Sequence, residues 1–251
     1  MAEKLSVLIP AYNEEDNIGD CIRSLGDLAD EIVVLDSFST DRTVEIARSL
    51  NATVHQRVFD NYSANKNYGL ALPDHDWVLL VDADERLTDS LRAEIRLLLN
   101  HTPACDGYRI HRRTFFRDRA VRCWSSGEVL RLFRRNKGHF RDDRLVHEEL
   151  VLQGTTGRLQ ASMEHYTFRS YSQYLPKMQQ FAKLAAQEAF HKGRRATLMD
   201  FLIHPPLRFA KTYFMRLGIL DGIPGLLISQ LSAYSAYLKY AFLWELQNGG
   251  R

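Results

Sequence analysis

The sequence of 251 residues contains only three cysteines, at positions 21, 105 and 123. Their number is odd, their spacings are wide, and no CxxC pair occurs. This pattern argues against a disulfide framework and against a zinc knuckle, so we expect a protein of a reducing compartment. The N-terminal apolar run is too short for a signal peptide, and acidic residues follow it. We therefore predict a cytoplasmic location.

Two phosphate-binding signatures are also missing. There is no G-x-x-x-x-G-K-[ST] loop, and no G-x-G-x-x-G follows the first predicted strand. These absences argue against a P-loop enzyme and against a dinucleotide-binding protein. A phosphate ligand would have to be held by a metal ion and basic side chains instead. The formal net charge is only +2, which makes nucleic acid the weakest hypothesis for a partner.

What the sequence does contain is a regular alternation of apolar runs and helical patterns over its first hundred residues. Apolar runs of strand length occur at 5–11, 31–37, 52–58 and 76–82. Asn13 and Thr88 are expected to cap two of the intervening helices. Strands that are apolar on both faces and separated by amphipathic helices predict an α/β fold with a mostly parallel sheet flanked by helices.

Acidic residues gather where the predicted strands end. Asp36 closes the second strand, and Asp82 and Asp84 follow the fourth. Ligands bind at the carboxyl ends of parallel strands. A D-x-D sequence places two carboxylates on one side of a strand, where they suit a hard divalent cation that arrives with a diphosphate. The alternative is that these acids are solvated or cap the next helix. Glu85 is expected only to start the following turn.

The remainder of the chain has a different pattern. Residues 105–168 are rich in short β-patterns and predict a mixed or antiparallel extension of the sheet. From about residue 170 the pattern is helical, and the helix over 197–218 is expected to break at Pro205-Pro206. We therefore divide the chain into a domain of residues 1–168 and a C-terminal helical extension of residues 169–251.

Four stretches match a known family in order and spacing. They are LSVLIPAYNEEDNI, DEIVVLDSFSTDRTVEIA, ANKNYGLA and VLLVDADE. Together they resemble the N-terminal half of the family 2 glycosyltransferases, which are inverting enzymes with the GT-A fold. The stretches RLFRRNKGHFRDDRLVHEEL and LDGIPGLLISQLSAYSAYLKY resemble the lipopolysaccharide core β-glucosyltransferases. The Q-x-x-R-W signature of processive synthases is missing, so the resemblance implies transfer of a single sugar.

The resemblance also implies a role for each matching position. Asp84 would bind Mg²⁺ or Mn²⁺, and His165 is a second candidate ligand that can equally be read as a structural histidine. Asp41 is expected to cap a helix. The residues implied in binding a nucleotide-sugar, with a UDP-sugar as the expected donor, are Pro10, Ala11, Glu14, Asp36, Ser37, Lys66, Asp82 and Ala83.

An inverting transfer needs one general base to take the proton of the acceptor hydroxyl. Related enzymes carry an acidic pair where this chain reads RLVHEELV. We favour Glu148 as the base, with Glu149 as the second candidate and His147 as a residue that orients it. The alternative is that these acids lie on a solvated face.

The arginine-rich middle and the aromatic tail bear on partners. Residues 219–246 carry only three charges, which fits a helix lying in a membrane interface, a core helix or the seam of a homodimer. The expected acceptor is a bacterial envelope glycolipid or oligosaccharide such as lipopolysaccharide core. Peripheral contact with the cytoplasmic face of the inner membrane would bring the enzyme to it. A nucleotidyltransferase and a non-catalytic nucleotide-sugar-binding protein remain the alternatives.

Overall fold

The computed structural model describes residues 3–125, 127–141, 150–168 and 171–249. The chain forms two compact units. The first comprises Met1–Arg112 and Ser126–His165, and the second comprises Arg113–Ser125 and Tyr166–Arg251. We predicted a single boundary at residue 168. In the structure the C-terminal unit also contains Arg113–Ser125, which lies earlier in the sequence.

The N-terminal half of the chain alternates strand and helix, as the apolar runs predicted. Its parallel strands are β1 (Leu5–Ala11), β2 (Glu31–Asp36), β3 (Thr53–Gln56) and β4 (Trp77–Leu80). Its helices are α1 (Ile18–Leu25), α2 (Thr43–Ser49), α3 (Tyr62–Leu70) and α4 (Asp89–Asn100). The parallel strands lie in the order β3-β2-β1-β4. Their registers pair Ala11 with Asp36 and Leu8 with Leu80, so the carboxyl ends meet at one edge.

Antiparallel strands extend this sheet beyond β4. They are β5 (Glu85–Leu87), β6 (Gly107–Phe116), β7 (Arg119–Val121), β8 (Glu128–Arg134) and β11 (Thr156–Phe168). A separate pair consists of β9 (Gly138–Phe140) and β10 (Leu150–Leu152). The nine-stranded sheet has the order β3-β2-β1-β4-β8-β6-β11-β5, with β7 beside β6. The α/β prediction is confirmed, and the parallel pairing is confined to the first four strands.

The core of the first unit forms where helices cover the parallel strands. The spacing that predicted α1 also predicts its buried side, because Ile18, Cys21, Ile22 and Leu25 are all buried. Thr88 caps α4 as expected, with its hydroxyl accepting a hydrogen bond from the backbone N–H of Leu91 at 3.2 Å.

The expected cap at Asn13 is wrong. Helix α1 begins at Ile18, with Asn17 in the capping position. Asn13 adopts a left-handed conformation with φ 52°, and its side-chain oxygen accepts a hydrogen bond from Thr40 N–H at 2.8 Å. Asparagine tolerates this conformation better than most residues, so the chain turns here before the helix starts.

The second unit contains three long helices, α5 (Tyr171–His191), α6 (Leu198–Ala210) and α7 (Gly222–Gln247). The break predicted at Pro205-Pro206 is wrong, because α6 runs through both prolines. The fixed φ of proline is compatible with a helix, so the helix can continue, at the cost of a lost backbone hydrogen bond and crowding against the preceding turn at each proline. The regular helix instead ends at Ala210, a π-helical segment (Lys211–Met215) follows, and the chain turns at Leu217 with φ 60°.

In the described part of the chain, no single helix is long and apolar enough to cross a bilayer. One pair of segments, Leu198–Met215 and Gly218–Gln247, reaches that length and composition together, with a bend of 68° between them.

Candidate active site

The edge where β1, β2 and β4 end carries most of the residues singled out from the sequence. Ala11 and Asp36 are paired in register, and Ser37 N–H donates to Ala11 C=O at 2.9 Å. Past the end of β4, Val81 N–H donates to Leu8 C=O at 3.0 Å, which places the chain just before Asp82 at the same edge. Parallel topology thus brings together residues that lie far apart in sequence.

Asp36 is completely buried at this edge. Its carboxylate accepts hydrogen bonds from the backbone N–H of Ser39 at 3.0 Å, from the Ser39 hydroxyl, and from the side-chain amide of Gln56 at 2.9 Å. A buried carboxylate is tolerated only when such donors satisfy it. In this conformation Asp36 therefore fixes the loop that follows β2, and its predicted contact with a nucleotide stays a prediction.

The loops after β1 and β2 are joined by further hydrogen bonds. Asn13 N–H donates to the Ser39 hydroxyl at 2.8 Å, and Glu14 N–H donates to the Thr43 hydroxyl at 2.8 Å. Asp41 accepts from the N–H groups of Thr43 and Glu15 at 2.9 Å and 3.1 Å. The prediction that Asp41 caps this helix is wrong by one residue. Helix α2 begins at Thr43 with Arg42 in the capping position, and Asp41 contacts Thr43 from just before it.

Two aromatic side chains on these joined loops are exposed. Tyr12 is 58% exposed and Phe38 is 50% exposed. Phe38 also has a positive φ of 59°, which is uncommon for an aromatic residue and holds its side chain out on the loop. The sequence reading passed over both residues. Pro10 and Ser37 are half-buried beside them, and Ala11 is buried.

Asp82 is neutralised by two cations. The guanidinium of Arg131 donates to one carboxylate oxygen, and Lys66 Nζ lies 3.5 Å from the other. Burial alone would raise the pKa of Asp82, but the charges of Arg131 and Lys66 outweigh burial and hold the pKa well below its usual range. Because the folded-state pKa is depressed, this contribution to stability is present above about pH 4 and is lost as the pH falls.

We call Asp82–Glu85, the segment that follows β4, the strand tip. Glu85 is its most buried acid, with none of its surface exposed. It accepts hydrogen bonds from Arg131 at 2.6 Å, from Arg112 at 3.1 Å and from the backbone N–H of Asp82 at 2.9 Å. The expectation that Glu85 only starts a turn is therefore wrong. It is the first residue of β5, which pairs with β11, and its carboxylate is a fixed partner for two arginines.

Arg131, which the sequence patterns did not single out, is the central cation beside Asp82 and Glu85. It lies on β8, which pairs with β4, and it is almost completely buried. The carboxylates of Asp82 and Glu85 raise its pKa above the usual value, against the opposite effect of burial. The sequence does contain a signal for this pairing. An arginine between apolar residues in the strand VLRLF is expected to be buried, and a buried cation needs an acidic partner.

Asp84 faces a different partner. His165 Nε2 lies 3.2 Å from Asp84 Oδ2, and both side chains are largely buried. The two come together because His165 on β11 is in register with Glu85, the neighbour of Asp84. Ala83 between the two aspartates is buried. The sequence thus identified a pair that the fold brings together, although it could not tell which strand would carry the histidine to the tip.

The donor set at Asp84 suits a divalent cation that shares its coordination with a ligand. One carboxylate and one imidazole converge here, and no cluster of three or more histidine, cysteine or acidic side chains able to hold a metal occurs among residues 3–125, 127–141, 150–168 and 171–249. Mg²⁺ sites on enzymes commonly take only one or two carboxylates and complete the shell with water and phosphate. These residues therefore fit a metal bound jointly with a diphosphate.

Lys66 reaches the strand tip from α3. Asn67, its neighbour, ties this helix to β9 by donating to Phe140 C=O at 2.9 Å and accepting from Phe140 N–H at 2.8 Å. Lys66 is buried, and its ammonium lies 5.5 Å from the centre of the Phe140 ring. Glu14 is half-buried and accepts from the Asn17 amide at 2.7 Å.

The two candidates for the general base, Glu148 and Glu149, lie outside the described residues, as does His147. Their assignment stays a prediction.

Comparison with known proteins gives consistent matches. Residues 6–160 match the family model described as glycosyl transferase family 2. The lipopolysaccharide core biosynthesis glycosyltransferase LpsC of Rhizobium meliloti is 30% identical over 96% of this chain and 92% of that protein. An uncharacterized glycosyltransferase of Rickettsia typhi is 27% identical over 97% of this chain and 88% of that protein.

Solved structures give weaker likenesses. Glucosyl-3-phosphoglycerate synthase from Mycobacterium tuberculosis, in complex with Mn²⁺, uridine diphosphate and glucosyl-3-phosphoglycerate, is 30% identical over 46% of this chain and 45% of that chain, with a TM-score of 0.35. S. aureus TarS is 17% identical over 99% of this chain and 92% of that chain, with a TM-score of 0.47.

The buried charge cluster makes a prediction about stability. Replacing Arg131 with methionine keeps the bulk of the side chain but leaves the buried Glu85 with Arg112 as its cation and the half-buried Asp82 with Lys66 as its cation. We expect Arg131→Met to lower the free energy of unfolding by about 3 kcal/mol, because buried negative charge is then only partly compensated. Urea denaturation of the purified variant measures the change.

Two further variants sharpen this test. Arg96→Met removes the exposed partner of Asp27, so it should leave stability nearly unchanged. The double variant Arg131→Met/Glu85→Gln should recover part of the loss, since it removes both buried charges. A stability loss for Arg131→Met no larger than that for Arg96→Met would contradict the reading of the cluster as a buried, coupled set.

Proposed function

The chain belongs to glycosyl transferase family 2, as its motifs predicted, and we propose that it transfers one sugar, with inversion, from a UDP-sugar to a bacterial envelope glycolipid or oligosaccharide. The proposal rests on one observation: the two aspartates of the strand tip have different partners. Asp82 is held by Arg131 and Lys66, while Asp84 is paired only with a histidine in the contacts described here. The name of the Rhizobium relative supports lipopolysaccharide core as the acceptor class.

The charge balance of the tip supports a donor that carries diphosphate and metal together. Three carboxylates (Asp82, Asp84 and Glu85) are accompanied by three cations (Lys66, Arg112 and Arg131). A cation or a diphosphate bound alone would upset this balance. The two bound together offset each other, so they should strengthen one another's binding.

Asp84 and His165 would hold Mg²⁺ or Mn²⁺ in this proposal. The cation would stabilise the negative charge of the departing diphosphate, which is the chemistry such ions supply to group transfer. Lys66, which pairs with Asp82, would bind the diphosphate as a point charge. Asp82, fixed by Arg131, would present its remaining hydrogen-bonding capacity to the ribose or the sugar.

The nucleoside would bind on the joined loops after β1 and β2. Pro10, Ala11 and Glu14 would line one side of the nucleoside and Ser37 the other, with Asp36 holding the second loop in place. The exposed rings of Tyr12 and Phe38 offer a surface on which a base can stack. We therefore add these two aromatics to the residues expected to contact the uracil.

Transfer with inversion needs a base that removes the proton of the acceptor hydroxyl as the sugar is attacked. We propose Glu148 for this role, with Glu149 as the second candidate. In a bacterial cell we place the enzyme in the cytoplasm, at the cytoplasmic face of the inner membrane, where both a soluble donor and a lipid-borne acceptor are available.

The metal assignment predicts the behaviour of Asp84→Ala. In the wild type, Mn²⁺ should strengthen UDP binding, whereas in Asp84→Ala this gain should fall by at least about tenfold because a ligand is lost. UDP binding in the absence of metal should change little. Titration calorimetry with UDP, with and without Mn²⁺, measures both quantities.

The matched control for this test is Asp89→Ala. Asp89 is a neighbouring carboxylate whose side chain is 94% exposed, and it takes no part in the tip. It should bind UDP and Mn²⁺ as the wild type does. If Mn²⁺ strengthens UDP binding of Asp84→Ala as much as that of the wild type, the metal is held elsewhere.

The base assignment predicts a split between binding and transfer. Glu148→Gln keeps the shape of the side chain but cannot accept the proton, so UDP binding should persist while transfer falls by about a hundredfold or more. Release of UDP from a panel of UDP-sugars with an envelope-derived acceptor measures transfer. Glu149→Gln serves as the comparison. Loss of transfer in Glu149→Gln alone would assign the role to that residue.

A further inference from the structure

Helix α6 of the second unit is unusual because its aliphatic side chains are exposed to solvent. None of its residues is buried. Five large apolar residues are between 41% and 73% exposed, namely Leu198, Met199, Leu202, Ile203 and Leu207. Their four-residue spacings place them along one side of the helix. A surface helix of a globular protein normally turns such a stripe inward.

The opposite side of α6 is the one that packs within the unit. The Phe201 ring lies 5.6 Å from that of Tyr237, and the His204 ring stacks on Tyr240 at 4.9 Å. Asp200 completes a capping box with Thr197 and contacts Arg194 at 3.3 Å. Phe201 and His204 therefore face α7, and among the described residues no partner covers the apolar stripe.

The turn between α6 and α7 continues the exposed apolar surface. Its side chains are between 47% and 77% exposed and comprise Phe214, Met215, Leu217, Ile219, Leu220 and Ile223. We call the α6 stripe and this turn together the apolar hairpin. A contiguous exposed apolar surface of this kind marks an interaction site rather than ordinary surface.

The apolar hairpin is built as a fixed structure. Leu217 adopts a left-handed conformation, and a side chain on Gly225 would meet the backbone oxygen of Gly218 at 1.9 Å, so only glycine permits this close packing. Asp221 accepts hydrogen bonds from the N–H groups of Arg122 and Cys123 at 2.8 Å and 3.0 Å. Hydrogen bonds thus fix the base of the turn, while its apolar side chains are exposed to solvent.

Charge identifies the partner of the hairpin. The hairpin segment, residues 198–223, contains three cations, Arg208, Lys211 and Arg216. Its two acids, Asp200 and Asp221, accept hydrogen bonds from neighbouring groups of the same unit. A second copy of the chain packed symmetrically on this surface would bring like charges together. An anionic bilayer provides both an apolar interior for the aliphatic side chains and headgroups for the cations.

We propose that the apolar hairpin docks this protein on anionic phospholipid membranes, with the turn inserted at the boundary between headgroups and acyl chains. This surface extends the proposed function by naming what would bring the enzyme to a lipid-borne acceptor. It does not depend on the strand tip, and it stands whether or not the proposed donor is correct.

Flotation of the full chain with preformed vesicles tests the proposal. Vesicles of phosphatidylethanolamine with phosphatidylglycerol should carry the protein upward, and vesicles of phosphatidylcholine alone should carry less of it. Met215→Ser/Leu220→Ser should lower the affinity for the anionic vesicles by about tenfold or more, since apolar area is lost from the interface. Lys211→Glu/Arg216→Glu should abolish the preference for anionic lipid.

The matched control is Val58→Ser/Leu97→Ser, which removes two equally exposed apolar residues from the first unit. It should float as the wild type does. Equal flotation of Met215→Ser/Leu220→Ser and the wild type would overturn the proposal. So would a dimer in solution that these substitutions dissociate, because a second copy would then cover the surface. UDP release measured without vesicles should be unchanged in the hairpin variants, which separates this result from a failure of the proposed function.

Discussion

Arg131 lies between Asp82 and Glu85, and the arrangement of the strand tip depends on that position. Three acids within four residues repel one another, and one of them is fully buried. Strand β8, the antiparallel neighbour of β4, supplies the arginine that makes this density of charge tolerable. With Arg112 and Lys66, it also leaves Asp82 and Asp84 with different partners although they are only two residues apart.

This difference connects the fold to its chemistry. Carboxylates that repel one another normally favour binding of any cation. At the strand tip the carboxylates are already balanced by three basic side chains, so a cation bound together with an anionic ligand is favoured instead. A nucleotide diphosphate with its metal satisfies that condition. The chain is a glycosyl transferase because it belongs to family 2. The charge balance of the strand tip is the physical reason to propose that its donor is a diphosphate bound with a metal ion.

Much of the first unit could be predicted from local patterns. Apolar runs predicted β1 to β4, and the ends of those strands identified Asp36, Asp82 and Asp84, because parallel topology alone brings strand ends to one edge. The pairing of Arg131 with Glu85 could not be predicted, since it depends on which antiparallel strand lies beside β4. Local propensity also failed at Asn13, where hydrogen bonds to a distant loop decide the conformation, and at Pro205 and Pro206, whose φ angles suit a helix.

We propose that Asp84, and not Asp82, holds the metal. Anomalous diffraction from crystals of the full chain grown with Mn²⁺ and UDP would locate the ion. We predict a manganese peak bonded to the Asp84 carboxylate and to diphosphate oxygens, with Asp82 still paired with Arg131. A peak coordinated by Asp82 with Arg131 displaced, or manganese bound to UDP without Asp84, would contradict the account.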